Sequence, residues 1–116
     1  MNRETPTLRV NWTGHGYLNA AACRELGMPR GILIDQHGGG ILIRPANDYD
    51  HRAYLITEQG KTCDGRNFCA KNAMHRAGLV PESGSTRYLL NPVTYDIGRP
   101  AFTTGPERKI ACEVAA

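Results

Sequence analysis

The chain has 116 residues, 41% hydrophobic and 22% charged, with a formal net charge of +3, a length that suits one ordinary domain or two very small ones. Thirteen glycines and seven prolines interrupt it too often for a coiled coil or helical bundle and favour short strands. No stretch approaches the roughly 18 apolar residues that span a bilayer, and Met1 to Pro6 lack the apolar core of a secretory signal, so the expectation is a cytoplasmic protein with no membrane association.

Leu8, Val10 and Trp12 alternate with Arg9 and Asn11, a period of two that predicts a half-buried strand ending at Thr13-Gly14. Asn19 is placed to cap a short helix over Ala20 to Leu26, and Gly27 to stop it in the left-handed conformation that glycine adopts without a Cβ clash. Ala22, Cys23 and Leu26 form its inner side. The runs Gly31-Ile32-Leu33-Ile34 and Gly40-Ile41-Leu42-Ile43 flank a glycine-rich turn and predict a β-hairpin. Its strands are apolar on both faces, so Ile32, Ile34, Leu42 and Ile43 are expected to bury against a second copy of the unit, in this chain or in a partner. Pro45 to Arg52 is a polar connector, and residues 53 to 57 predict a short strand.

The second half replays the first. With Gly78 aligned on Gly27, Phe68 falls on Tyr17, Ala73 on Ala22, Met74 on Cys23 and Leu79 on Met28, and Cys69 takes the apolar position of Leu18. Thr86 to Leu90 and Val93 to Ile97 then read as two strands about an Asn91-Pro92 turn. Gly98 to Gly105 reads as a loop, and Lys109 to Val114 as a terminal strand. The expected fold is mainly β with short helices. Two tandem ββαββ units, 1–52 and 53–116, form one compact β-barrel-like domain or pseudo-dimer.

The charge is unevenly spread. Residues 1 to 58 carry six basic and six acidic side chains, whereas 59 to 87 carry Lys61, Arg66, Lys71, Arg76 and Arg87 against Asp64 and Glu82. Eleven of the fourteen basic residues are arginine, whose planar fork matches phosphate and carboxylate.

The run from Gly14 to Gly31, with Leu26-Gly27 closing a short helix ahead of the apolar hairpin and Arg44-Pro45, resembles the SpoVT/AbrB-like swapped-hairpin family. The resemblance covers about residues 8 to 46, with a weaker echo at 64 to 97, and the duplication resembles the MraZ-like arrangement. It implies a DNA-binding transcriptional regulator or antitoxin that acts as a homodimer or as a pseudo-dimer within one chain. In role, Arg24 matches a DNA-facing residue of the family and Arg9 and Arg30 are equivalents; His15 replaces a turn arginine. With the central basic segment, this makes Arg9, His15, Arg24, Arg30, Lys61, Arg66, Lys71, Arg76 and Arg87 the expected nucleic-acid-binding residues. The alternative is a small phage-type accessory inhibitor, such as an anti-CRISPR, that binds a nucleic-acid-handling protein.

Other chemistry has less support in the sequence. Cys63, Cys69 and His75 are spaced at six-residue intervals without the closely paired cysteines of a structural zinc site, so no metal or cofactor is expected. Ser83 and Ser85 lie in a glycine-serine turn without a strained nucleophile elbow. Gly38-Gly39-Gly40 lacks the following Lys-Ser/Thr of a phosphate loop. The expectation is a protein that is not an enzyme.

Overall fold

The computed structural model describes residues 5–46, 54–55, 57–58, 66–95 and 97–113. They form a mainly β fold with two short helices, in which eleven strands make two antiparallel sheets. The first half contributes β1 (Thr7–Asn11), β2 (His15–Leu18), α1 (Ala20–Glu25), β3 (Gly31–His37) and β4 (Gly40–Pro45). The rest contributes β5 (Tyr54–Leu55), β6 (Thr57–Glu58), β7 (Arg66–Cys69), α2 (Lys71–Arg76), β8 (Ser85–Leu89), β9 (Asn91–Tyr95), β10 (Arg99–Thr104) and β11 (Lys109–Glu113). One sheet runs β11-β8-β1-β2-β7-β6 and the other β5-β3-β4-β10-β9.

Leu8 and Val10 of β1 are fully buried, as their alternation requires, but Trp12 is 58% exposed. The strand ends one residue sooner than the apolar pattern because the Asn11 side chain folds back. Its Oδ1 accepts from the Thr13 and His15 backbone amides at 3.2 and 2.9 Å, an Asx-type turn that swings Trp12 out of the sheet. Gly16 of β2 is required by packing. It stands opposite Phe68 of β7, and a Cβ there would fall on the Phe68 ring.

Both helices are six residues long and stop in the same way. Gly27 N–H donates to Arg24 C=O at 3.0 Å and Met28 N–H to Cys23 C=O at 2.8 Å; Gly78 N–H donates to His75 C=O and Leu79 N–H to Met74 C=O, both at 3.0 Å. These are paired Schellman closures, with Gly27 and Gly78 at φ 83° and 72° supplying the left-handed residue. Their starts differ. Asn19 caps α1 by accepting from Ala22 N–H at 3.0 Å, whereas Ala70, at the start of α2, has no side chain that can cap.

The core lies between the sheets. Leu8, Val10 and Leu18 meet Ile32, Ile41, Ile43 and Phe102, with Ala22, Cys23, Leu26, Met74 and Leu79 packed among them. Ile32 and Ile43 are fully buried as expected and Ile41 joins them; Ile34 is half-buried against the same core, whereas Leu42 is half-buried on the opposite face of the hairpin, the face on which Leu33 is buried. Register decides this. Leu42 lies opposite Asp35 and Thr103, so its side chain shares their outer face.

The two halves of the chain meet at four antiparallel seams. β1 pairs with β8 and β2 with β7 in one sheet, and β3 pairs with β5 and β4 with β10 in the other, so the apolar hairpin β3–β4 is flanked on both edges within the same chain. Three features differ from the sequence expectation. Residues 99–104 form β10 where a loop was expected, held between β4 and β9. β8 and β9 do not form a hairpin: buried Leu90, whose N–H donates to Pro6 C=O at 3.2 Å, is the corner at which the chain leaves one sheet for the other. Cys69 is exposed, because Phe68 has the inward position that Leu18 has in β2 and an extra residue intervenes before α2.

Proline placement explains how β9 and β10 tolerate Pro92 and Pro100. Pro92 lies opposite Phe102 and Pro100 opposite Thr94, two steps apart along one ladder. Both therefore occupy positions whose absent N–H would point away from the partner strand.

Candidate nucleic-acid interface

The inward residues of the six-stranded sheet include Leu8, Val10, Leu18, Phe68, Thr86 and Tyr88, and the alternate residues of each strand point to its other face. Because partners in an antiparallel ladder share a face, the register fixes what this outer face displays. One row crosses the sheet as Arg87, Arg9, Tyr17 and Asn67, and the backbone of Ala111 in β11 and of Thr57 in β6 is in register with its two ends. A neighbouring row places Ser85 beside Asn11, and His15 lies opposite Cys69. Among the described residues, the outward positions of β1, β2, β7 and β8 hold no carboxylate.

The centre of this face is the Arg9–Arg87 pair. The residues are direct cross-strand partners, an arrangement in which like charges repel. The Arg9 guanidinium is held over the Tyr17 ring, 4.9 Å from its centroid, a cation–π contact that restricts its motion. Around the pair lies a depression of about 300 Å³ lined by Thr5, Thr7, Tyr17 and Asn19 as well. Asn19 is a structural member of this wall. Its Oδ1 accepts from Thr7 N–H at 3.1 Å and from Ala22 N–H, while its Nδ2 donates to Thr5 C=O at 2.7 Å.

His15 stands at the turn end of the same face, with Nδ1 2.7 Å from Thr13 Oγ1. Thr13 Oγ1–H donates to Asn11 Oδ1 at 2.7 Å, an oxygen that can only accept. Thr13 Oγ1 is therefore the acceptor for a proton on His15 Nδ1.

The expected binding residues separate into groups. Arg9, His15 and Arg87 come together on the sheet face. Arg24 is exposed on α1, Arg30 is exposed in the loop before β3, and Lys71 and Arg76 are exposed on α2. Arg66 is a residue of β7 opposite Leu18. Lys61 lies outside the described residues, as does Cys63 of the expected thiol and histidine set. Among the described residues, no three His, Cys, Asp or Glu side chains are grouped to hold a metal ion. Sequence reading did not name Tyr17 as a member of the site; the alternation Gly16-Tyr17-Leu18, with Leu18 inward, is the signal that turns it outward.

Arg44 belongs to the other sheet. Its Nε donates to Asp35 Oδ2 at 2.9 Å, and its guanidinium lies 5.5 Å from the Tyr95 ring centroid. The hydrogen bond to Asp35 raises its pKa above the usual arginine value. Beside β9 and β10, a separate crevice of about 520 Å³ is lined by Glu25, Pro92, Val93, Pro100, Ala101 and Phe102, and Ile97 nearby in sequence is 91% exposed. No described helix is long and apolar enough to cross a membrane.

No family model, curated protein or solved structure matches the chain.

Proposed function

We propose that the protein is a DNA-binding transcriptional regulator or antitoxin of the AbrB-like type, acting in the cytoplasm, and that the outer face of its six-stranded sheet lies against the nucleic-acid backbone. The observation that carries this reading is the Arg87–Arg9–Tyr17–Asn67 row on the outer face of the sheet, where the outward positions of the four central strands β8, β1, β2 and β7 include no carboxylate. Guanidinium groups bind phosphate bidentately, and tyrosine, asparagine and threonine supply hydrogen bonds that fix register on a backbone. The resemblance of residues 8 to 46 to the swapped-hairpin family points the same way. The seams β2–β7 and β4–β10 support a pseudo-dimer in which the halves 1–52 and 53–116 supply each other's partner, so that a single chain is the binding unit.

The test is fluorescence anisotropy with labelled duplex DNA over a range of salt concentrations. Affinity should fall linearly on a log–log plot with a slope of about 0.9 per phosphate contacted. Arg9→Ala and Arg87→Ala should each weaken binding and flatten the slope by roughly one. Salt-independent binding, or none in low salt, would refute the proposal.

A second reading, an accessory inhibitor that binds a nucleic-acid-handling protein, draws on the apolar crevice beside β9 and β10 and on exposed Ile97. It predicts a stable complex with such a nuclease in size exclusion that survives excess competitor duplex, and that Ile97→Asp disrupts. Absence of that complex, together with salt-sensitive DNA retention, removes it.

A further inference from the structure

We infer that Trp12, His15 and Lys71 form a platform that stacks one unpaired nucleobase at the turn end of the six-stranded sheet; the inference rests on the nucleic-acid reading above and adds the class of nucleotide that the face takes. Trp12 is the single tryptophan of the chain, and it is 58% exposed. The turn that presents it is fixed by a main-chain donor at every residue from 12 to 15. Trp12 N–H donates to Gly84 C=O and Gly14 N–H to Asn11 C=O, both at 2.9 Å, while the Thr13 and His15 amides donate to Asn11 Oδ1 at 3.2 and 2.9 Å. These bonds use the Asn11 side chain and the backbone alone, so the turn geometry does not call for an indole at position 12. A ring carried on a support that is ordered before the ligand arrives has less freedom to lose on binding.

Positive charge is built against the same turn. Gly14, at φ 89°, is buried, and a Cβ on it would stand 2.8 Å from Lys71 Cγ and 2.9 Å from Lys71 Cα. Glycine therefore lets the first residue of α2 lie directly on the turn, and exposed Lys71 carries its ammonium within one side-chain length of it. His15, also exposed, is tied to the turn through Thr13 Oγ1 at 2.7 Å. Glu82, exposed two residues before Gly84, is a carboxylate close in sequence to the point where Trp12 N–H is held, so a phosphate belongs on the Lys71 side.

An exposed π surface next to a cation matches a nucleotide, whose base stacks on the indole while its phosphate meets the ammonium. Stacking needs a free base face. A paired base inside a duplex does not present one, so the ligand is an unpaired nucleotide, in a single strand or at a frayed end. An acidic polypeptide would satisfy the cations and leave the indole without a base, and the probes below separate the two.

The experiment uses the full chain with four probes: a short single-stranded oligonucleotide, its blunt duplex, an abasic strand of the same length, and polyglutamate of equal charge. Because there is one tryptophan, its emission reports position 12 alone. The single strand should quench it saturably, and the abasic strand and polyglutamate should not. By anisotropy of the labelled strand, Trp12→Ala should weaken binding roughly fivefold or more, the loss of one base–aromatic stack, while Trp12→Phe keeps most of the affinity. Lys71→Gln should flatten the salt dependence by roughly 0.7, one phosphate on a single strand. Thermal melts of the variants establish that they fold. Salt-sensitive binding of strand and duplex that Trp12→Ala leaves unchanged, with no quenching, overturns the platform and leaves the nucleic-acid reading standing. Equal affinity for the single strand and the abasic strand, or equal quenching by polyglutamate, also overturns the platform. Quenching by the single strand without retention of duplex overturns the duplex-binding regulator and leaves the platform standing for single strands.

Discussion

Replacing Asn19 by alanine should destabilise the fold far more than an ordinary helix cap does. Asn19 is 7% exposed, and its side chain makes three hydrogen bonds: it accepts from Ala22 N–H at 3.0 Å and Thr7 N–H at 3.1 Å and donates to Thr5 C=O at 2.7 Å. Loss of the cap alone costs about 1 kcal/mol. The Thr7 amide, at the partly buried start of β1, loses its partner as well, which adds roughly 1–3 kcal/mol. The expected total is about 2–4 kcal/mol, a fall in urea midpoint of roughly 1–2 M for a small protein. Asn19→Asp keeps both acceptor bonds but turns a carboxylate oxygen towards the Thr5 C=O to which the amide donated, so it should also destabilise, by about 1–3 kcal/mol. The assay is equilibrium urea unfolding followed by far-ultraviolet circular dichroism, with amide hydrogen exchange at Thr7 and Ala22 to locate the effect. A cost for Asn19→Ala below about 0.5 kcal/mol would show that the side chain does not join β1 to α1.

Two further outcomes test the packing. Ile43→Ala, at a fully buried position, should cost about 2–5 kcal/mol, and Leu42→Ala on the half-buried outer face clearly less; comparative urea melts check this, and equal costs would refute the register of β4 against β10. Cys69 is exposed and Cys23 has no solvent exposure, so a maleimide reagent should label Cys69 in the native protein and reach Cys23 only on unfolding. Peptide mass mapping reads the order, and early labelling of Cys23 would contradict the placement of α1 against β2.

The parts of the fold legible in the sequence are those set by near neighbours. Asn19 and Gly27 delimit α1 because a cap and a left-handed stop are local chemistry, and the two apolar runs about Gly38-Gly39 delimit β3 and β4. What was illegible depends on distant contacts. β10 contains Pro100 between Gly98 and Gly105, and it becomes a strand only because β4 and β9 flank it. Asn91-Pro92 carries a turn signal, yet Leu90 is held by Pro6 from the far end of the chain and sends the backbone into the other sheet. The candidate site was half visible. Arg9 and Arg87 stood out singly as basic residues, but nothing local could pair them, since they become neighbours only through the β1–β8 register. Tyr17 was hidden because it joins the site only through its register opposite Arg9 and Asn67.

Pro92 also bears on self-association. Within β9 only residues 92 and 94 turn their amide positions to the free edge of the five-stranded sheet, and proline leaves Thr94 N–H as the single donor there. A strand from a second molecule that tried to extend the sheet past β9 would find one hydrogen where a regular edge offers two, and the proline ring in the way. Crowded solutions of the protein should therefore not grow fibrils from this side, and a partner that recruits by donating a strand must dock elsewhere.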